Sequence, residues 1–146
     1  MANYDALKLE NQICFPLYAA AREVVKQYHP YLSALGLTYT QYIAMMVFWE
    51  QGSISVRDLG RKLFLDSGTL TPVLKSLEAK GYLTRERSKE DERVLIASVT
   101  KEGMALRERA VTVPEQVAKC VNLDPDEALT LYRTLYKLLG QFKEEQ

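Results

Sequence analysis

The chain has little with which to hold a metal or staple a secreted fold. Its 146 residues contain two cysteines, at positions 14 and 120, and one histidine, His29. Structural zinc needs four clustered ligands, so no metal site is expected, and no cofactor either. Two cysteines make no disulfide framework, and a cytosolic disulfide is usually transient and redox-linked. No apolar run approaches a membrane span, and the N-terminus lacks a basic-then-apolar leader. The expectation is therefore a cytoplasmic protein with no membrane partner. There is no excess of charge of either sign: 19 Lys and Arg balance 19 Asp and Glu. Zero net charge does not advertise a nucleic-acid partner, although a local basic face can serve. No repeat, low-complexity tract or linker divides the chain, whose length suits a single domain with a real core.

What is present is mostly helical periodicity. A first helix is expected from Tyr4 to Tyr28, stopping near His29-Pro30, because proline disfavours helix in the residue before it. Its apolar positions Ile13, Leu17, Ala20, Ala21 and Val24 predict a buried face. A short piece, Tyr31 to Leu35, ends at Gly36. Thr38 and Gln41 have the spacing of a capping box opening an apolar helix over Ile43 to Trp49, which ends near Gly52. Ser55 can cap Val56 to Phe64, and Asp66 or Ser67 can cap the helix 67–81, which Gly81 closes. Tyr82 to Arg87 and Val94 to Val99 read as the strands of a hairpin around the charged turn SKEDER. Thr100 caps a long helix expected to reach Val121, and Asp124-Pro125-Asp126-Glu127 starts a last, leucine-rich one ending near Phe142.

Two short helices, a sharp link and a charged hairpin describe a winged helix-turn-helix. The inner stripe of the second helix is Leu70, Val73, Leu74 and Leu77; its outer face is assigned Ser67, Thr69, Thr71, Lys75 and Ser76. Short hydroxyls and a cation on such a face can meet base edges and phosphates in the major groove. Arg85, Arg87, Lys89 and Arg93 would sit by the backbone or in the minor groove. Asp91, two residues from Arg93, is read as that arginine's orienting partner, since a carboxylate cannot face phosphate. Taken alone, a charged turn is usually only solvated; following a helix-turn-helix it points to DNA.

The run LGRKLFLDSGTLTPVLKSLEAKGYLTRERSKEDERVL resembles the DNA-binding core of the MarR family, including a D-x-R wing signature at Asp91 and Arg93. The resemblance covers essentially the whole chain. It implies a mainly α fold with a small β-hairpin wing, and a homodimer bound to double-stranded, pseudo-palindromic operator DNA, usually as a repressor and not an enzyme. One MarR-type chain, 1–146, would then divide into dimerisation helices at 1–36 and 101–146 and a DNA-binding region at 37–100. The apolar terminal helices suit this, because a lone chain would leave too much apolar helix face in water.

Within that family, KLENQICFPLYAAAR, YHPYLSALGLTYTQY and LDSGTLTP resemble the OhrR branch, which senses organic hydroperoxides. The resemblance implies that Cys14 is the peroxide-reactive thiol and that Tyr28 and Tyr39 of the opposite subunit bond to it. Tyr18 lies one helical turn after Cys14 on the same face. Phenols donating to sulfur favour the reactive thiolate. Phe15, Leu17, Met45, Met46 and Phe48 are expected as apolar walls suited to a greasy peroxide. Cys120 has the placement of the second cysteine in two-cysteine OhrR proteins, where the sulfenate forms an intersubunit disulfide. The residues themselves leave other readings open. Cys14 can be buried filler, a small-molecule thiol can resolve the sulfenate, and the trigger can be a small aromatic ligand or another thiol oxidant. A thiol peroxidase is the remaining alternative, and nothing in the chain resembles a peroxiredoxin.

Overall fold

The structure, a computed structural model, describes residues 2–142. Met1 and residues 143–146, the outermost parts of the two expected dimerisation segments, lie outside the described residues.

The N-terminus departs from the expected continuous helix. Two 3-10 turns, Asp5–Leu7 and Leu9–Asn11, precede α1, which spans Cys14–Ser33. Pro16 explains the late start: a residue without an amide proton is tolerated only in a first turn, where that proton would have no acceptor. Helix α1 also runs through Pro30 instead of stopping before it. Proline there forfeits a backbone hydrogen bond to the carbonyl four residues back. The chain nevertheless stays helical to bring Leu32, 2% exposed, into the core, and Leu35 and Leu37 follow it there. Gly36 makes the turn out of α1 at φ +70°.

Capping holds where local signals are strong. Helix α2, Tyr39–Gln51, opens with a complete Thr38–Gln41 box and ends at Gly52, φ 79°. Strand β1, Ser53–Ser55, is an element the sequence did not reveal; it runs straight into α3, Val56–Leu63, capped by Ser55. Helix α4, Ser67–Ala79, is capped by Asp66. Strands β2, Leu83–Arg87, and β3, Leu95–Val99, form the expected hairpin with Leu83 opposite Val99 and Arg87 opposite Leu95. β1 pairs antiparallel on the other side of β3, giving the order β1-β3-β2.

The long helix expected from Thr100 is broken. Helix α5, Lys101–Ala110, and α6, Val113–Ala118, are separated by a turn at Val111-Thr112. Pro114 is the cause, since it cannot donate to the carbonyl of Ala110 and crowds it. Helix α7, Pro125–Gly140, has a full Asp124–Glu127 capping box and buries no residue.

The core joins Leu32, Met45, Phe48, Leu59, Leu74, Leu77, Leu83, Ala97, Leu106 and Val117. It therefore binds the end of α1 and α2 to the helix-turn-helix, the sheet and α5–α6. Phe48 is fully buried, and truncating such a residue to alanine costs about 3–5 kcal/mol. Gly103 sits where α5 crosses the sheet: an added Cβ would strike the carbonyl oxygen of Tyr82. The close approach also lets Trp49 donate its indole N–H to the Gly103 carbonyl at 2.8 Å.

Candidate functional site

Helix α4 presents its inner stripe to the core, with Leu70, Val73, Leu74 and Leu77 all buried. Its outer face therefore follows from the helical repeat. Ser67, Thr69 and Lys75 are exposed. Thr71 is half-buried and donates its hydroxyl back to the Ser67 carbonyl at 2.7 Å. The Asp66 cap, 2.7 Å from the Thr69 amide, fixes the first turn, and its hydrogen bonds to Thr69 hold its carboxyl below the usual range. Ser76 departs from the expectation. It is half-buried, and its hydroxyl accepts from the Gln41 side chain at 2.9 Å, so it is turned toward α2 and away from the outer face.

The wing is similarly selective. Arg93 donates from Nε and one terminal nitrogen to the two Asp91 carboxylate oxygens, at 3.0 and 3.1 Å, and its backbone amide adds a third bond at 3.0 Å. These bonds, the side-chain ones first, hold the Asp91 carboxyl below its ordinary value. The guanidinium remains 91% exposed, so the carboxylate aims it without covering it. Arg87 and Lys89 are exposed on the same hairpin. Arg85, by contrast, is folded back onto α4, where its Nε lies 2.6 Å from a Glu78 carboxylate oxygen. A broad open groove runs between α3, the first turn of α4 and the wing. Arg57, Arg61, Ser67, Asp91 and Arg93 are among its lining residues. Arg57 and Arg61 were missed in the sequence; their spacing of four on a short capped helix was the available signal.

Cys14 is the first residue of α1 and is exposed in the single chain, as are Ile13, Phe15, Leu17 and Tyr18. The face expected to be buried is therefore open to solvent in one chain. Arg22, one turn further along the helix, reaches back to Tyr18: its guanidinium lies 5.2 Å from the ring centroid and donates to the phenol oxygen at 3.3 Å. Tyr28 and Tyr39 are brought together, with ring centroids 5.0 Å apart, and Tyr42 packs against both. Burial first, then the neighbouring Tyr28 phenol, pushes Tyr39 above the ordinary tyrosine value. Met45 and Phe48 are fully buried in the core and cannot line an open pocket; Met46 is exposed. Cys120 is exposed just past α6, where its sulfur donates to the Gln116 carbonyl at 3.7 Å and meets the Tyr31 hydroxyl at 4.0 Å. The phenol found against a sulfur within one chain is thus Tyr31, which carried no sequence signal. His29 shares a 3.4 Å contact with Ser33 at the end of α1. Among the described residues no group of three His, Cys, Asp or Glu side chains could hold a metal ion, and no helix is long and apolar enough to cross a membrane.

Comparison with known proteins adds the family context. The model for the transcriptional regulators SarA/Rot matches residues 26–110. The chain is 46% identical over 136 residues to the organic hydroperoxide resistance transcriptional regulator of Bacillus subtilis (strain 168), spanning 93% of this chain and 92% of that protein. AbfR of Staphylococcus epidermidis is similar in two solved states. Reduced AbfR bound to DNA superposes with a TM-score of 0.76 at 34% identity, covering 94% of this chain and 96% of that one. Disulfide-formed AbfR superposes at 0.64 and 36%, covering 92% and 95%. The reduced form of MarR from E. coli gives a TM-score of 0.68 at 26% identity, over 88% and 96%.

Proposed function

The chain belongs to the SarA/Rot family of transcriptional regulators, with the winged-helix fold it shares with MarR, and from that membership we propose that it is an operator-binding repressor released when an organic hydroperoxide oxidises Cys14. The observation that carries this reading is the 46% identity, over nearly the full length of both chains, to a regulator of organic hydroperoxide resistance. It is a regulator and not an enzyme, as its relatives are regulators.

Recognition starts with the groove between α3, α4 and the wing. Ser67, Thr69 and Lys75 face bases and phosphates in the major groove, and Arg93, aimed by Asp91, reaches the flanking backbone with Arg87 and Lys89. Arg57 and Arg61 add phosphate contacts from α3. A homodimer supplies the second reading head. Its contact surface is formed by residues 1–36 and 101–146, for which the apolar exposure argues: Ile13 is 84% exposed, Tyr132 61% and Tyr136 56%. A helix such as α7, with apolar residues and none buried, is covered most simply by its own copy.

Cys14 is the first residue of α1. In the dimer, Tyr28 and Tyr39 of the opposite subunit donate to that sulfur, with Tyr18 alongside. The thiolate attacks the terminal oxygen of the hydroperoxide, the O–O bond breaks, and the alkoxide leaves as the alcohol on taking a proton from water. Sulfur is oxidised by two electrons to the sulfenic acid as the peroxide is reduced. The Cys120 thiol of the opposite subunit then gives up its proton and attacks the sulfenic sulfur; the S–S bond forms, the S–O bond breaks, and the hydroxyl takes that proton and leaves as water. Closing that bond requires Cα atoms about 4.4–6.8 Å apart, which re-sets the helices bearing the reading heads. Two heads matched to successive major-groove faces, about 34–36 Å apart, lose that match.

The experiment is operator release measured with cumene hydroperoxide and, separately, with salicylate. Release by the hydroperoxide and not by salicylate supports the thiol trigger; the reverse result replaces it with a ligand-binding one.

A further inference from the structure

Gln41 is the one buried polar side chain among the described residues, 7% exposed, and it lies where three segments meet. Its carboxamide oxygen accepts from the Thr38 amide at 3.0 Å and from the Lys80 ammonium at 3.1 Å. Its carboxamide nitrogen donates to the Ser76 hydroxyl at 2.9 Å. The amide has only one workable orientation, because a backbone N–H and an ammonium can only donate. Lys80 goes on to donate to the carbonyl of Gly36, in the turn that leaves α1. One side chain therefore ties the α1–α2 turn and the first turn of α2, where Tyr39 sits, to the last turn and C-cap of α4.

The rest of the α2–α4 contact is apolar: Leu70, Val73, Leu74 and Leu77 face the core that Met45 and Phe48 fill. Apolar contacts are non-directional and admit small slides and rotations. Directional bonds to a buried group do not, since each must be kept or left unsatisfied in a medium where that is expensive. A capping box needs only Thr38 and Gln41; the bonds to Ser76 and Lys80 serve some other end.

We propose that Gln41 is the positioning residue that fixes the seat of the reading helix on α2 and so makes the tyrosine-bearing end of α2 and the DNA-reading face move as one body. Ser76, placed by sequence among the base readers, is an anchor of that seat. Coupling between sites needs such a physically continuous element with a defined geometry. This inference rests on the DNA-binding and thiol-trigger reading above.

The test uses the full-length protein with Gln41→Met, Ser76→Ala paired with Lys80→Met, and Gln41→Glu. The glutamate keeps both acceptor bonds, and the Ser76 hydroxyl can turn to donate to it. Operator and unrelated DNA are titrated with reduced protein, and operator again after Cys14 oxidation has been verified by sulfenate trapping. The expected result is that Gln41→Met and the Ser76/Lys80 pair lower the ratio of operator to unrelated-DNA affinity by about tenfold. They should also retain operator binding after complete oxidation, while Gln41→Glu behaves as the parent. Loss of fold in Gln41→Met, seen as a collapsed thermal transition, leaves the Ser76/Lys80 pair to decide. An unchanged affinity ratio together with release as complete as the parent's overturns the proposal. If the parent itself is not released by peroxide, the trigger reading fails separately, and the affinity ratio alone decides the role of Gln41.

Discussion

The Tyr31 hydroxyl lies 4.0 Å from the Cys120 sulfur, linking residues 89 apart in sequence across α1 and the end of α6. The sulfur also lies 3.7 Å from the Gln116 carbonyl, to which it donates. The hydrogen bond with Cys120, first among the causes, pushes the Tyr31 phenol above its ordinary value. The resolving role proposed for Cys120 is tested by removing it. Cys120→Ser is expected to form the Cys14 sulfenate at the parental rate and to give no intersubunit band on a non-reducing gel. A persisting band would mean that another pairing operates.

The Asp91–Arg93 pair gives a second expectation. Removing the arginine by Arg93→Ala should weaken operator binding and reduce the slope of log affinity against log salt by about 1, the signature of one lost phosphate contact. Asp91→Ala leaves the charge and removes its aim, so affinity should fall with the slope retained. Filter binding or anisotropy across a salt series reads both. Unchanged affinity in Arg93→Ala removes the wing from the interface.

The Tyr28–Tyr39–Tyr42 cluster makes a statement about pH. Burial raises the phenols of Tyr39 and Tyr42 above their ordinary value. A raised value in the folded state favours the neutral form. The contribution to stability is therefore fully present below about pH 10, the unfolded value, and is lost as pH climbs through the folded ones. Absorbance at the phenolate band, comparing the parent with Tyr39→Phe, should show Tyr39 ionising above a model tyrosine. Ionisation at the ordinary value would mean that the cluster is open to water.

Gly103 tests the packing of α5 on the sheet. Gly103→Ala drives a methyl group into the Tyr82 carbonyl and disturbs the Trp49 bond, so a loss of about 1–3 kcal/mol is expected in urea unfolding. A loss within the error of the extrapolation would show that α5 can shift at no cost.

What was legible in the sequence was local. Thr38, Ser55, Asp66, Thr100 and Asp124 each announce a helix start because a cap reaches a backbone amide within three residues, and all five bonds are made. The MarR-type fold was legible too, because its apolar stripes and hairpin alternate over short windows. What escaped depends on distant partners. β1 is three residues long and exists only through its pairing with β3. Ser76 and Arg85 read as outward-facing until Gln41 and Glu78 claim them. The break at Pro114 and the late start of α1 at Pro16 were within reach: both prolines forbid a bond that a continuous helix requires. Cys14, read as lying on a buried helix face, is exposed in the single chain.

The central claim is that a single sulfur governs DNA release, and operator binding by Cys14→Ser tests it most directly. The reduced variant should bind operator as the parent does, and one equivalent of an alkyl hydroperoxide per subunit should release the parent and leave the variant bound. Release of Cys14→Ser by that peroxide would contradict the account.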